Sequence, residues 1–349
     1  GRKMGPWLTA FAYGTTYFSA VIFIGYAGKI GWGFGISATW IGIGNAVIGS
    51  LLAWLVLARK TRQMTHELNA STMPEFFEKR YESKAMKIVT ALIIFIFMVP
   101  YSASVYQGLG YLFERTFGLP FVYCMAAMAF LTAVYLLLGG YIATALNDFV
   151  QGVIMLVGVG FMIYFIVEHP AVGGIGNGIK KLSEIPDVGP GLVKIFSAQP
   201  LNLMGLVILT SLGSWGLPQM VHKFYAIKNE DAIKKGTVIS TVFALIIAGG
   251  AYFVGAFGRL FLDNRMPVGA NGAPNADMVM PMVLEKALPE SLIGIIVILV
   301  LSASMSTLSS LVLISSSAIS MDLVKGTLFP NIKKSSEMLL MRILCVIFV

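Results

Sequence analysis

The chain has 349 residues, of which 57% are hydrophobic and 12% charged, and its mean hydropathy is +0.81. Soluble domains carry about 25% charged residues, so a water-soluble globular fold is excluded. The formal charge of +8 invites a nucleic-acid reading, but the placement of the basic residues, taken up below, accounts for it as membrane topology.

Stretches of about 20 apolar residues mark transmembrane helices. Nine are expected, near 7–28, 36–58, 86–111, 120–138, 145–167, 201–221, 237–259, 290–321 and from 337 onward. The last is still apolar at Val349 and the chain opens without Met, so the sequence reads as a fragment lacking at least one further C-terminal helix. The first span has helical length and no small-residue cleavage site, unlike a signal peptide. In mid-span it carries Gly14-Thr15-Thr16-Tyr17-Phe18-Ser19-Ala20, where the helical ladder can open only toward a cavity or an ion.

In the loop 59–85, Ser71-Thr72-Met73-Pro74-Glu75 combines an N-cap, an early Pro and an acid, which predicts a short surface helix. The fifth span opens on Asp148, the only carboxylate near its start. An acid there is by default a functional candidate, though pairing with a loop Lys at the interface accounts for it equally. Connections 168–200 and 262–289 are rich in Gly, Pro and Asn and read as irregular loops, with one short helix around 177–182. The sixth span is interrupted by Ser211-Leu-Gly213-Ser-Trp215-Gly216-Leu-Pro218-Gln219. Either interruption alone is equally a packing kink. Lying five spans apart, however, they fall on helices that run in opposite directions, as in an inverted repeat whose broken helices form a transporter's binding site.

The eighth span places Ala303, Ser306, Thr307 and Ser310 at i, i+3, i+4 and i+7, on one helical face, with Ser309 beside them. Small residues admit a neighbouring backbone, and hydroxyls offer an alkali cation hard, uncharged ligands. The same stripe serves simple helix packing. With the N-terminus in the cytoplasm, seventeen of the 25 Lys and Arg residues, Lys223 among them, fall on the cytoplasmic side and eight outside, a positive-inside bias. Cys124 and Cys345 lie in spans and form no disulfide or metal pattern. His66, His169 and His222 stand at or beyond span ends and read as surface or interface residues. No phosphate-cradling glycine loop, metal-spaced His/Cys set or nucleophile elbow occurs, so an enzyme is not expected.

Several segments together resemble the sodium:solute symporter family: 18–25, the loop Met73–Tyr81, Gly139-Gly140 with the run to Asn147-Asp148 and Gln151-Gly152, Trp215–Gln219 followed by Lys223–Lys228, and Met305–Ser310. The resemblance covers essentially the whole chain in colinear order. It implies an all-α integral membrane protein of LeuT-like fold, a single transmembrane domain over 1–349. Two inverted five-helix repeats, about 5–168 and 200–349, would supply the first nine core helices, two of them broken. The implied function is sodium-coupled symport of a small organic solute, an amino acid, monocarboxylate or similar, by alternating access. A sodium-dependent solute sensor or a channel-like protein is the alternative. The implied partners are the solute, sodium as coupling ion and the lipid bilayer of a bacterial inner membrane, with no nucleic acid.

By matching to the family, the main sodium site takes the carbonyls of Thr15, Phe18 and Ala303 and the hydroxyls of Ser306 and Thr307. A second sodium, found in some members, would sit among Asp148, Ser309 and Ser310. Position suggests Tyr17, Ser19, Ile22, Trp40, Tyr101, Gln107, Ser211, Ser214, Trp215 and Gln219 for the solute, although each Trp or Tyr serves packing or an interfacial belt as readily. The resemblance also implies an Asp in the first helix of proline transporters, where this chain has Tyr17. No Arg or Lys is expected within the pocket helices to clamp a carboxylate.

Overall fold

The computed structural model describes residues 4–138, 141–269 and 272–349. Gly139 and Gly140, part of the family-like run above, lie outside the described residues, as do Arg2 and Lys3 of the charge count. Helices stand at each of the nine expected spans. Continuous helices long and apolar enough to cross a membrane include Lys84–Glu114, Thr144–Glu168, Glu230–Gly255 and Leu292–Leu328, and the pair Pro200–Gly216 and Pro218–Tyr225, bent by 49° at its break, is long and apolar enough when taken together. Large apolar side chains such as Leu92, Ile96, Phe97, Tyr123, Phe130 and Leu209 point outward. On a soluble protein these would be a liability; facing acyl chains they are at home.

The helical run Val21–Glu67 is not one rod. Gly35 sits at φ 57, in the region that favours glycine. On either side of it the chain packs against the same seventh span. Gly14 lies against Phe243 and Gly31 against the Gly255 backbone, whereas Gly42 lies against Gly249 and Gly236 against Trp54. The partners climb before Gly35 and descend after it, so the chain reverses there, from first span to second.

Three pairs of spans run antiparallel. Tyr13 stacks on Phe224 at 5.5 Å while the Tyr17 hydroxyl donates to the Thr210 carbonyl at 2.8 Å, so the first and sixth spans are opposed. Second and seventh are opposed by the glycine contacts above. Lys87, at the start of the third, reaches Gly326 near the end of the eighth.

The helix Pro6–Tyr17 is buried nearly all round, with Ala10, Phe11, Ala12, Tyr13, Thr15 and Thr16 hidden. Such a helix has no solvent to satisfy its hydroxyls, so its neighbours must. One end of the molecule gathers Met4, bonded to Ala226 and Lys228, the Arg59–Glu230 pair and the Lys325–Glu337 pair. The predicted surface helix is there as Met73–Tyr81, capped by Thr72, whose hydroxyl accepts the Glu75 N–H. The opposite end gathers the loop helix Ile175–Ser183 and Arg259, which caps the Trp32 carbonyl and lies over its ring.

Candidate ion and solute site

The first span breaks where its residues prefer other company. The Thr15 hydroxyl donates back to the Phe11 carbonyl at 2.9 Å, a bond that loosens and bends helices. Phe18 is extended at φ −111, ψ 105, and its N–H closes the last turn on Gly14. Ser19 then accepts the Val21 N–H at 3.3 Å, restarting the helix with wide i→i+5 turns over Val21–Tyr26. The carbonyls of Thr15 and Thr16 lie past that last closing bond and turn toward the eighth span.

There the Thr307 hydroxyl lies 3.2 Å from the Thr15 carbonyl, 3.3 Å from that of Thr16 and 3.1 Å from that of Ala303. All four residues are fully buried. One hydroxyl proton can satisfy only one of three acceptors. The cluster therefore holds more oxygen lone pairs than donors, a neutral cage suited to a small hard cation.

Of the five residues expected around a main sodium site, Thr15, Ala303 and Thr307 meet in this cage. Ser306 stands next to it: its Oγ lies 2.8 Å from Thr15 Oγ1 and 2.7 Å from Asp148 Oδ1, and its one proton can go to only one of them. The Phe18 ring stacks on Tyr17 at 4.3 Å, and the second first-span carbonyl on Thr307 is that of Thr16. The pattern that flagged Thr15 contained Thr16 as its neighbour.

Asp148 is wholly buried and bonds a basic residue: Lys223 Nζ lies 3.3 Å from Asp148 Oδ2. The same ammonium donates to Ser310 Oγ at 3.2 Å, and Ser310 in turn bonds Thr16 Oγ1 at 3.1 Å. Ser309 faces away, onto the Ser306 carbonyl. This corrects the expectation that no base enters the pocket helices and that Lys223 belongs to a loop. The sixth span resumes at Pro218 and continues to Tyr225, past the expected end at 221, and this last turn carries Lys223 inward. Gln219 at i−4 could have signalled the shared face.

The solute candidates divide. Ser211 donates to Asn45 Oδ1 at 3.1 Å, Ser214 to the Ser211 carbonyl, and Trp215 Nε1 to the Ile48 carbonyl at 2.9 Å. With Tyr17 on Thr210, these form the seam where the sixth span meets the second and, through Tyr17, the first. Asn45, buried in the second span and accepting also from Thr210, was missed, although a lone amide in mid-span is a signal. Ser19 and Ile22 are buried at the break, while Tyr101 is half-buried and Gln107 exposed on the third span. Trp40 stands apart: it stacks on Phe196 and donates to the Ile195 carbonyl in the loop after the fifth span, which removes it from the seam. Gln219 is 1% exposed, and neither amide atom has a hydrogen-bond partner.

A cavity of about 470 Å³ opens at the end that holds Met4 and Thr72 and reaches Asp148, Gln219, Lys223 and Ser310. It gives the polar cluster a path to solvent on that side.

The family model described as the sodium:solute symporter family matches residues 1–349. The sodium/proline symporter of Escherichia coli is 29% identical over 333 residues, covering 94% of this chain and 64% of that protein. The osmoregulated proline transporter OpuE of Bacillus subtilis is 31% identical over 330 residues, covering 93% and 65%. The chain thus spans just under two-thirds of the length of these curated relatives. Among solved structures, a Na+-coupled sialic acid symporter in a substrate-bound outward-open state superposes with a TM-score of 0.79 at 16% identity, covering 100% of this chain and 72% of that one. Mhp1, a nucleobase-cation-symport-1 family transporter, gives 0.58 at 12% identity, covering 99% and 71%. The fold is the LeuT-like one.

Proposed function

The chain belongs to the sodium:solute symporter family, and from that premise we propose that this multi-pass membrane protein couples sodium entry to uptake of a small organic solute by alternating access. It is a transporter and not an enzyme in this reading. The observation that carries it is the cage of Thr15, Thr16 and Ala303 carbonyls around the Thr307 hydroxyl. Neutral oxygens from a broken helix and a facing hydroxyl replace the water shell of sodium without the cost of burying an anion. Phe18 and Ser306 border the cage and complete the ligand set.

The solute binds beside the ion, along the seam of the two breaks, where Tyr17, Ser19, Ile22, Ser211, Ser214, Trp215 and Gln219 gather. Tyr101 and Gln107 bound it from the third span. Proline is the first solute to test, because the relatives named above are proline transporters; other amino acids and monocarboxylates come next, since Tyr17 replaces the Asp expected of proline carriers.

Two inverted repeats, about 5–168 and 200–349, account for the opposed pairing of spans one and six, two and seven, and three and eight. The basic end lies in the cytoplasm of a bacterial cell, with the N-terminus of this chain on that side, as the positive-inside rule requires. On that orientation the cavity that reaches Asp148 opens inward.

Uptake of radiolabelled proline and a panel of amino acids and monocarboxylates into proteoliposomes tests the reading. An inward sodium gradient should drive accumulation, and an equal potassium gradient should not. Equal flux without sodium would point to a channel, and no flux for any solute that binds would point to a sensor.

A further inference from the structure

The ammonium of Lys223 occupies a position built for a cation. It lies 3.3 Å from a carboxylate oxygen of Asp148 and 3.2 Å from the Ser310 hydroxyl. Behind these, Ser306 holds the other Asp148 oxygen, and Thr16 holds Ser310. Lys223, Ser310 and Asp148 are 8%, 5% and 0% exposed. One carboxylate and several hydroxyls make a hard oxygen set such as a sodium ion would take. Gln219, one turn before Lys223 on the same helix face, adds an amide oxygen that has no partner. The cavity that opens beside Met4 reaches this cluster, so an ion has a way in.

We propose that Lys223 is a tethered cation filling a second ion position next to the Thr307 cage, and that it holds the protein to one sodium. The proposal rests on the sodium reading above and goes beyond it by fixing the count. Asp148 carries one negative charge in a buried place, and the ammonium already cancels it. A second sodium would bring two positive charges onto one buried carboxylate. The covalent tether adds an advantage no free ion has, because its local concentration does not fall when external sodium does.

Equilibrium binding of radioactive sodium to the purified protein in lipid nanodiscs, with N-methyl-D-glucamine as balancing cation, requires no knowledge of the solute. Wild type should bind one sodium per chain. Lys223→Gln frees the Asp148 carboxylate and should bind two, and adding Asp148→Asn to it should return the count to one. Asp148→Asn alone should leave the count at one, whereas a carboxylate that ligated sodium would lose an ion on this change. Two ions in wild type would overturn the proposal, as would a Lys223→Gln protein that still holds its first ion and gains none. Should that variant fail to fold, Lys223→Met and the wild-type count carry the test. Zero ions in wild type, with the protein folded, would instead refute the sodium reading itself.

Discussion

Replacing Thr307 by Val keeps the shape of the side chain and deletes the one hydroxyl in the carbonyl cage. Thr307 Oγ1 is the only side-chain oxygen among the four that converge there, at 3.1 to 3.3 Å. A neutral contact of this kind contributes about 0.5–1.5 kcal/mol net, and about 1.4 kcal/mol is tenfold in affinity. At a sodium concentration of about 100 times Kd, binding stabilises the folded protein by about 2.7 kcal/mol; a tenfold weaker site leaves about 1.4 kcal/mol. The sodium-dependent part of the thermal shift should therefore fall by about half at that concentration. Thr307→Ser, which restores an oxygen, should recover most of it. The variant will also lose stability without sodium, because three buried carbonyls lose their shared donor. Only the difference between sodium and potassium titrations reads the site. An unchanged sodium shift in Thr307→Val, or equal shifts with sodium and potassium in wild type, would refute the assignment.

Four further outcomes are expected. Sodium should tighten solute binding, and solute should tighten sodium binding by the same factor, about 5–150-fold, because the segment 15–22 touches both; calorimetry with either ligand varied checks the reciprocity. Gly14→Val should weaken both affinities together, since the Phe243 ring stands where its Cβ would go, and the displaced first helix carries both sites; a loss confined to one ligand would contradict this. Tyr17→Phe removes the 2.8 Å bond to Thr210 and should cost about 1 kcal/mol, seen as weaker solute binding with the sodium shift intact. Burial pushes the half-buried Glu75 carboxylate up, but the Lys79 hydrogen bond, the Ser71 N–H and nearby Lys87 outweigh it and leave the group below its ordinary 4.5. Its stabilising contribution is thus present at neutral pH and lost as pH falls through that depressed value. Hydrogen exchange should show the amides of Met73–Tyr81 losing protection as pH falls through that depressed value, and Glu75→Gln should abolish the step.

The parts of this molecule that were legible in the sequence are those with a repeating or compositional mark. The Ala303–Ser310 stripe has helical spacing, and the breaks at 14–20 and 211–219 stand out because Gly, Pro and hydroxyls interrupt apolar runs; each proved to be where the backbone departs from a regular helix. Thr72 and Glu75 carried their cap in their order. What could not be read was register across a break. Hydropathy ended the sixth span at 221, because a lysine lowers the window, and so placed in a loop a base that one more helical turn buries on Asp148. Trp40 shows the converse: it sits within an apolar stretch, but its ring stacks on Phe196 and its Nε1 bonds the Ile195 carbonyl, 155 residues on and invisible to any local pattern. Thr16 shows a finer limit, since which carbonyl of a broken helix turns outward depends on a single φ/ψ pair at Phe18.

The seventh span meets the first and second through bare backbone, Gly255 on Gly31 and Gly249 on Gly42. Surfaces made this way are keyed. A slide of one helical turn, about 5.4 Å, would bring Leu245 or Phe253 to the place Gly249 holds opposite Gly42, where no side chain fits. Those three spans can therefore rotate or tilt only as a single block. Any motion that opens one side of the membrane and closes the other must find its slip plane along side-chain-lined contacts, such as the hydroxyl-faced seam between the first and eighth spans, where the ion cage itself lies.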